Sequence, residues 1–280
     1  MHVALWKKTA GVAVAALTAL TGVACGPQGG STETPDKQPG VLELLASDLK
    51  GSLQKTVDTT TKTDSVTVKM TGTMSGQQIS MQGVLDLGGA PKAEMTVTDP
   101  EGTTVAVRMI GTVFFVEIPA EDRASTGGKR WVKMDLTAVA GSKAGADFSK
   151  QFEEMDPIKQ VKTLLAIEGT TVVGQETVNG APTVHYTVTT PVATYLAQID
   201  SKRRESTEEM FAQQGVKDIK VDLWVDEQYR PRRAGLGMGK MGDMVIDYTD
   251  YGKAVTIEAP PAAETADLAE MLKGMTTTGT

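Results

Sequence analysis

Few side chains in this sequence have the chemistry needed for catalysis. Its 280 residues include one cysteine, Cys25, and, after residue 24, one histidine, His185, in a strand-like stretch. The sequence contains no GxSxG, HExxH or calcium-loop motif. These motifs would place a nucleophile, a pair of zinc ligands or a set of carboxylate ligands, respectively, at the spacing that catalysis or metal binding requires. An isolated strand histidine is usually packed or surface-exposed. We therefore predict a protein that is not an enzyme and holds no metal or cofactor.

Cys25 ends a segment typical of a secretory signal. Lys7 and Lys8 precede 16 small or apolar residues, 9–24, which is fewer than the roughly 20 that a membrane-spanning helix needs. The Gly-Val-Ala sequence before Cys25 resembles a bacterial lipobox, although Gly22 stands where that pattern prefers leucine. The resemblance implies cleavage before Cys25 and attachment of acyl chains, such as palmitate, to its thiol. A free cysteine is the alternative, but exposed thiols are reactive in an oxidising compartment.

The charge of the processed chain excludes one class of partner. Removal of residues 1–24 leaves 26 basic and 35 acidic residues, a formal charge of −9. Nucleic-acid binding requires a basic surface, and adsorption to anionic lipid requires basic clusters. We therefore predict no nucleic-acid partner. Acyl chains on Cys25 would hold the protein on the outer, extracytoplasmic face of the cell membrane.

A polar segment separates this anchor from the folded part of the chain. Residues 26–40 lack large apolar side chains and are rich in Gly, Pro, Ser and Thr, as flexible linkers are. Beyond them, apolar residues recur three or four apart from Leu42 to Val57, which predicts an amphipathic helix. The predicted divisions are a signal peptide over 1–24, a lipidated tether over 25–40, a folded domain over 41–260 and a C-terminal tail over 261–280.

Strands dominate the predicted domain. Period-two alternation recurs in segments between residues 65 and 258, the last of them a short strand at 254–258, and Asn179-Gly180 signals a tight hairpin. Helical patterns lie near residues 147–167 and 191–213. A sheet of about ten strands normally curls, so helices would cover its concave face. We predict an α+β fold built on a curved antiparallel sheet.

Two C-terminal segments resemble a known family. The runs VDLWVDEQYRPRRAGL and DYTDYGKAVTIEAPP, together with the element order, are similar to those of actinobacterial lipid-carrier lipoproteins of the LppX and LprG type, which share the fold of the carrier LolA. The resemblance implies a strongly bent antiparallel half-barrel around helices. It also implies an apolar cavity for the acyl chains of lipids or lipoproteins, and no enzymatic activity. Ligand identity does not transfer, because the shared residues belong to the sheet scaffold.

Methionine marks the candidate cavity. Thirteen of the 14 methionines follow residue 24, and many lie on apolar faces of the predicted elements. Flexible, polarizable methionine suits a surface that repacks around varied apolar ligands, whereas simple core filling is the alternative. The candidate cavity residues are Met70, Met74, Met81, Met109, Leu164, Leu165, Met238 and Met244.

Two other motifs are weaker candidates for binding. Arg230, Arg232 and Arg233 could bind an anionic headgroup at a cavity mouth, although solvated loop charge is the favoured explanation of them. A GxGxxG motif from Gly237 to Gly242 lies between two predicted strands, with no following helix to bind a phosphate, and is therefore interpreted as a turn.

These features favour a membrane-anchored lipoprotein that binds a lipid or lipidated molecule in an apolar cavity and carries it across the cell envelope. The alternative is a cell-surface interaction or sensor lipoprotein that uses the same fold without lipid transport. An open apolar space of several hundred Å³ would favour the carrier.

Overall fold

The alternating segments form a sheet of twelve strands in the computed structural model, which describes residues 40–74, 76–138, 155–198 and 201–277. The strands are β1 (Ser65–Met74), β2 (Gln77–Asp86), β3 (Lys92–Thr98), β4 (Thr104–Ile110), β5 (Val113–Glu117), β6 (Trp131–Asp135), β7 (Thr171–Val178), β8 (Ala181–Pro191), β9 (Asp218–Asp226), β10 (Pro231–Gly237), β11 (Gly242–Thr249) and β12 (Thr265–Asp267). Their order is β12-β6-β5-β4-β3-β2-β1-β11-β10-β9-β8-β7. Neighbours are antiparallel except β12, which runs parallel to β6. The predicted α+β fold with a curved antiparallel sheet is confirmed.

Six α-helices accompany this sheet within the described residues, besides three short 3₁₀ helices at Ala120–Thr126, Gly239–Met241 and Ala262–Glu264. The α-helices are α1 (Val41–Ser47), α2 (Leu49–Thr60), α3 (Pro157–Ala166), α4 (Val192–Leu196), α5 (Ser201–Gln213) and α6 (Leu268–Thr277). None of the described helices is long and apolar enough to cross a membrane. Every described strand and helix falls within residues 39–280, which form one unit.

Local sequence explains where the helices begin. The Asp48 carboxylate accepts a hydrogen bond from the Gly51 amide at 3.0 Å, so Asp48 both ends α1 and caps α2. At α3, the Asp156 carboxylate accepts from the Ile158 amide at 2.8 Å, and Pro157 occupies the first turn, where its missing N–H removes no helical bond.

One face of the sheet, called here the inner face, packs against the helices. On β1 it carries Val66, Val68 and Met70, while Thr67 and Lys69 point to the opposite, outer face. The inner-face residues join Leu53 of α2 and the apolar side of α3 in one buried core. Because the strands are paired in register, their inner-face side chains line up in rows that run across the sheet.

Gly83 allows two strands to approach closely on that face. It lies on β2 opposite Met95 of β3, and a Cβ atom at Gly83 would overlap the Glu94 carbonyl oxygen and contact Met95. A larger residue would therefore force β2 and β3 apart. On the inner face the space above Gly83 is occupied by the Met95 side chain.

Two predicted elements differ from the structure. The prediction of a strand at 254–258 is wrong: residues 253–261 have no regular secondary structure and pair with no described strand, and they cross the outer face with Ile257 buried. Residues 265–277, predicted to belong to a C-terminal tail, form β12 and α6, which both lie against β6.

Gly237 to Gly242 forms the turn between β10 and β11, as predicted. Cys25, most of the predicted tether and the predicted helix at 147–154 lie outside the described residues.

Candidate functional site

The candidate cavity residues lie in two environments. Met109, Leu164 and Met238 are buried in the core. Met70, Met81, Leu165 and Met244 are only half-buried, and Met70, Met81 and Leu165 pack against the core from its margin. The side chain of Met74 lies outside the described part of the structure. The first group therefore fills the interior, and the second borders it.

Half-buried apolar side chains form a continuous feature, which we call the apolar strip. The register places Met70 opposite Met81, Met81 opposite Val97 and Val97 opposite Val105, across β1 to β4. On the other side of β1, Met244 faces Leu236. The apolar strip consists of Met70, Ile79, Met81, Val97, Val105, Leu236 and Met244, all of which are half-buried.

Burial changes along each strand that carries the strip. At the opposite end of β1 and β2, Val66 and Leu85 have no exposed surface, and their neighbours Ala93 and Met109 are also buried. The inner face is thus closed at one end, while at the other end it presents apolar side chains to solvent.

The three candidate headgroup arginines do not converge on one point. Arg233 makes a bidentate ion pair with Asp247 of β11, with distances of 2.7 and 3.1 Å. Arg230 and Arg232 approach a different carboxylate, the buried Asp226, at 3.4 and 3.8 Å. Each guanidinium therefore already has a carboxylate partner, which weakens the case for a shared anion site. Binding of a headgroup by these residues stays a prediction.

His185 lies in an outer-face network that the sequence did not reveal. Its ring nitrogens are 2.9 Å from Glu176 and 2.8 Å from Asp222, and its ring stacks on Trp224 with centroids 4.0 Å apart. Trp224 also donates a hydrogen bond to Glu176 at 2.8 Å. Asp222 and Trp224 are two residues apart on β9 and therefore share its outer face. The pairing of β7, β8 and β9 is needed to bring Glu176 and His185 to them.

The network alters the titration of its two acids. Hydrogen bonds from Trp224 and His185 lower the pKa of Glu176. Burial raises the pKa of Asp222, but hydrogen bonds from His185 and Lys220, among others, outweigh it and the net pKa is lowered. Both carboxylates are therefore ionised at neutral pH. A histidine held between two carboxylates has both ring nitrogens engaged, so it is poorly placed to act as a base on a substrate.

A cleft of about 720 Å³ also lies on the outer face. Its floor includes Lys69, Gln82 and Thr96, and residues 255–257 of the crossing segment form a wall. It lies on the face opposite the apolar strip. Among the described residues, no group of three or more His, Cys, Asp or Glu side chains could hold a metal ion.

Tyrosine side chains on the inner face were missed at the sequence level. Tyr186 of β8 and Tyr248 of β11 have no exposed surface, and burial raises the pKa of both hydroxyls well above the ordinary value. The Tyr186 hydroxyl donates to the Leu45 carbonyl at 2.7 Å. Period-two alternation indicated that these residues face inward, but not what their hydroxyl groups contact.

Two Streptomyces proteins are similar in sequence along most of the chain. An uncharacterized 31.2 kDa protein of Streptomyces griseus is 31% identical over 229 residues, covering 74% of this chain and 73% of its relative. A Streptomyces coelicolor protein provisionally named a lipoprotein is 29% identical over 240 residues, covering 79% and 75% of the two chains. No family profile matches the sequence.

Solved structures establish the fold. The crystal structure of Mycobacterium tuberculosis lipoprotein LppX has a TM-score of 0.50 at 17% identity, covering 76% of this chain and 100% of LppX. LprF from Mycobacterium bovis gives a TM-score of 0.52 at 15% identity, with 78% and 99% coverage. The resemblance to LppX and LprG-type lipoproteins is thus confirmed. The chain belongs to the family of the Streptomyces griseus protein, and it has the fold of the LppX-type lipoproteins.

Proposed function

We propose that this protein is a membrane-tethered carrier that holds the acyl part of a lipid or lipidated molecule against the inner face and passes it across the cell envelope. The observation that carries this proposal is the apolar strip. Seven half-buried apolar residues continue the core toward solvent, and contiguous exposed apolar surface on a folded domain marks a binding site.

The composition of the strip suits acyl chains. Met70, Met81 and Met244 are unbranched and polarizable, so they adapt to ligands of different shape. The strip runs across at least six paired strands, from β4 through β1 to β10. At about 4.8 Å between strands, it extends for about 24 Å, which is comparable to the length of a long acyl chain.

Membrane attachment is the second part of the proposal. The fold is that of LppX, a lipoprotein, and a relative at 29% identity carries a lipoprotein name. These likenesses support acylation of Cys25, cleavage before it and a location on the outer face of the membrane. In this proposal residues 26–40 form a tether that lets the domain turn toward donor and acceptor.

Lipid extraction tests the carrier proposal directly. Residues 26–280 would be produced in an actinobacterial host, and the purified protein would be extracted with organic solvent and analysed by mass spectrometry. We expect a co-purified acyl lipid in an amount comparable to the protein. Met81→Glu should reduce this amount about tenfold or more, because it places a charge against the acyl chain.

The matched control is Gln82→Glu, which adds the same carboxylate to the same strand on the outer face. It should retain the wild-type amount of lipid. A wild-type protein that carries no lipid and takes up none from vesicles would overturn the carrier proposal. That result would instead favour the interaction or sensor alternative, in which the apolar strip is covered by a protein partner.

A further inference from the structure

The segment at 253–261 that crosses the outer face, called here the crossing segment, leaves most of its backbone hydrogen-bonding groups unused. Within the described part of the chain, no backbone-to-backbone hydrogen bond involves the amides or carbonyls of residues 254–260. Ile257 is nevertheless buried, with 6% of its surface exposed. Buried backbone groups in native proteins nearly always have a partner. The middle of the crossing segment therefore has donors and acceptors that the described residues leave unsatisfied.

Side chains of the sheet hold the crossing segment at two points. The Ser65 hydroxyl at the start of β1 donates to the Lys253 carbonyl at 2.6 Å, and the Arg108 guanidinium of β4 donates to the Glu258 carbonyl at 3.2 Å. Strands β1 and β4 are separated by β2 and β3. The segment between the two bonds therefore runs across the strands of the outer face, and both bonds use side chains, so the backbone groups between them stay free.

The free backbone groups lie beside the cleft on the outer face. Val255 and Ile257 face the sheet, whereas Thr256 between them is exposed. This period of two is typical of a strand, in which backbone N–H and C=O groups point sideways relative to the side chains. All three residues line the cleft, so one of the two sideways directions opens into it.

The lining of the cleft contains one cation without a described partner. Lys69 is exposed on the floor, and none of the ion pairs among the described residues includes it. The two carboxylates that line the cleft are already paired: Asp247 with Arg233, and Glu94 with Arg108. The unneutralised charge of the lining is therefore positive, and it favours a ligand that carries a carboxylate.

We propose that the cleft binds an extended peptide segment of a protein partner, which pairs with the crossing segment as an added β-strand and places an acidic side chain at Lys69. Addition of a strand is a common mode of peptide recognition, because it satisfies free backbone groups. The cleft extends from Asp247 on β11 to Thr96 on β3. This distance is about 14 Å at 4.8 Å between strands, which accommodates about four extended residues. The cleft lies on the face opposite the apolar strip, so peptide binding there is independent of lipid binding.

A heptapeptide display library, selected on residues 26–280, supplies the probe. A selected peptide would be synthesised with a fluorophore, and its dissociation constant would be measured by fluorescence anisotropy. We expect the selected peptides to contain an acidic residue. Lys69→Glu should weaken their binding about threefold to tenfold, because it replaces one attractive charge pair by a repulsive one. Lys50→Glu, the same change at an exposed lysine of α2, should have no effect.

Methylation of the peptide amides tests the added strand. Alternate residues of a β-strand direct their backbone groups toward a given neighbour. N-methylation at every second position should therefore weaken binding about tenfold, and methylation at the positions between should not. Hydrogen exchange locates the site, since the amides of residues 255–257 should become protected when the peptide is bound.

Each outcome decides for or against the peptide site. A selection that returns no binding peptide, an equal effect of methylation at all positions, or protection away from the crossing segment would overturn the proposal. Amides of residues 255–257 that are already protected in the free protein would also overturn it, because another part of the chain would then occupy the cleft. Met81→Glu in the apolar strip should leave peptide binding unchanged, and Lys69→Glu should leave the co-purified lipid unchanged. Failure of the peptide site is therefore distinguishable from failure of the carrier proposal.

Discussion

The Tyr186 hydroxyl donates a hydrogen bond to the backbone carbonyl of Leu45 at 2.7 Å, between two residues that have no exposed surface. The two residues are separated by 141 positions in the chain. This bond fixes the first helix, α1, to strand β8 in the middle of the core. Tyr248, equally buried on β11, makes no such bond within the described part of the structure. The two tyrosines can therefore be compared directly, because one hydroxyl has a partner there and the other has none.

Removal of the two hydroxyls should have opposite consequences for stability. Tyr186→Phe leaves the buried Leu45 carbonyl without its partner and should lower the free energy of unfolding by about 1–3 kcal/mol. Tyr248→Phe removes a buried group that has no partner and should be neutral or stabilising in the ligand-free protein. Urea denaturation of both variants measures the difference. A larger loss in Tyr248→Phe than in Tyr186→Phe would contradict the assignment of the two hydroxyls.

Alkaline pH should destabilise the fold. Burial raises the pKa of Tyr186, Tyr248 and Tyr251 in the folded state, whereas the unfolded chain titrates near the ordinary value of about 10. The contribution of these three tyrosines to the free energy of unfolding is therefore fully present below about pH 10. It is lost as the pH rises further, because the unfolded chain releases the hydroxyl protons and the folded chain retains them. Denaturant midpoints at pH 8 and pH 11 test this. Tyr248→Phe should show a smaller decrease between the two.

Acidic pH should act through Asp222. Its folded-state pKa is lowered, so its contribution is present above the ordinary value near 4 and is lost as the pH falls through the folded-state pKa. Asp222→Asn removes the charge that pairs with Lys220 at 3.0 Å, and should lower the free energy of unfolding at pH 7 by about 1–3 kcal/mol. The variant should also lose less stability than wild type between pH 7 and pH 3.

Asp218→Asn is the control for this measurement, since Asp218 lies exposed on the same strand, β9. It should follow the wild-type pH profile. Equal profiles for wild type and Asp222→Asn would show that the outer-face network contributes little to acid sensitivity.

Much of the sheet was predictable because its signal is local. Alternation at Val66, Val68 and Met70 identifies both a strand and its inward face, and the hairpin turns set which strands are neighbours. Residues 254–258 show the same alternation, yet they form no ladder, because Val255 and Ile257 face the sheet from a segment that crosses its outer face. Strand β12 has only three residues, too few to show a period, and it pairs with β6 about 130 positions away.

The candidate site was only partly predictable for a related reason. The apolar residue type and period-two spacing of Met70 and Met109 placed them on one face. Their degree of burial, however, depends on which helices cover each end of that face. The His185 network likewise depends on the pairing of β7, β8 and β9, which brings Glu176 and Asp222 to opposite sides of one ring. Single-sequence spacing contains no record of such contacts.

A glycine substitution tests the close approach of β2 and β3. Gly83→Ala puts a methyl group into the Glu94 carbonyl and Met95, and we expect a loss of about 1–3 kcal/mol in unfolding free energy from overpacking. Gly235→Ala on β10 is the matched control, because a Cβ atom there meets its nearest neighbour at 3.4 Å, an ordinary contact. Thermal unfolding of the two variants should separate them by several degrees, and equal midpoints would contradict the tight packing at Gly83.

Acylation of Cys25 is tested by replacing the thiol in the full-length chain. Cells fed a radiolabelled palmitate analogue should label the wild-type protein, and Cys25→Ala should carry no label, because the only thiol in the sequence is absent. Two acyl chains hold a protein on a bilayer, because each buried methylene contributes about 0.8 kcal/mol. The apolar segment of residues 9–24 is too short to replace them, since a helix needs roughly 20 residues to span the membrane. Cys25→Ala should therefore shift toward the soluble fraction, and Ser31→Ala in the predicted tether should not. Label on Cys25→Ala would show that the acyl group is attached elsewhere, and the proposed anchor would be wrong.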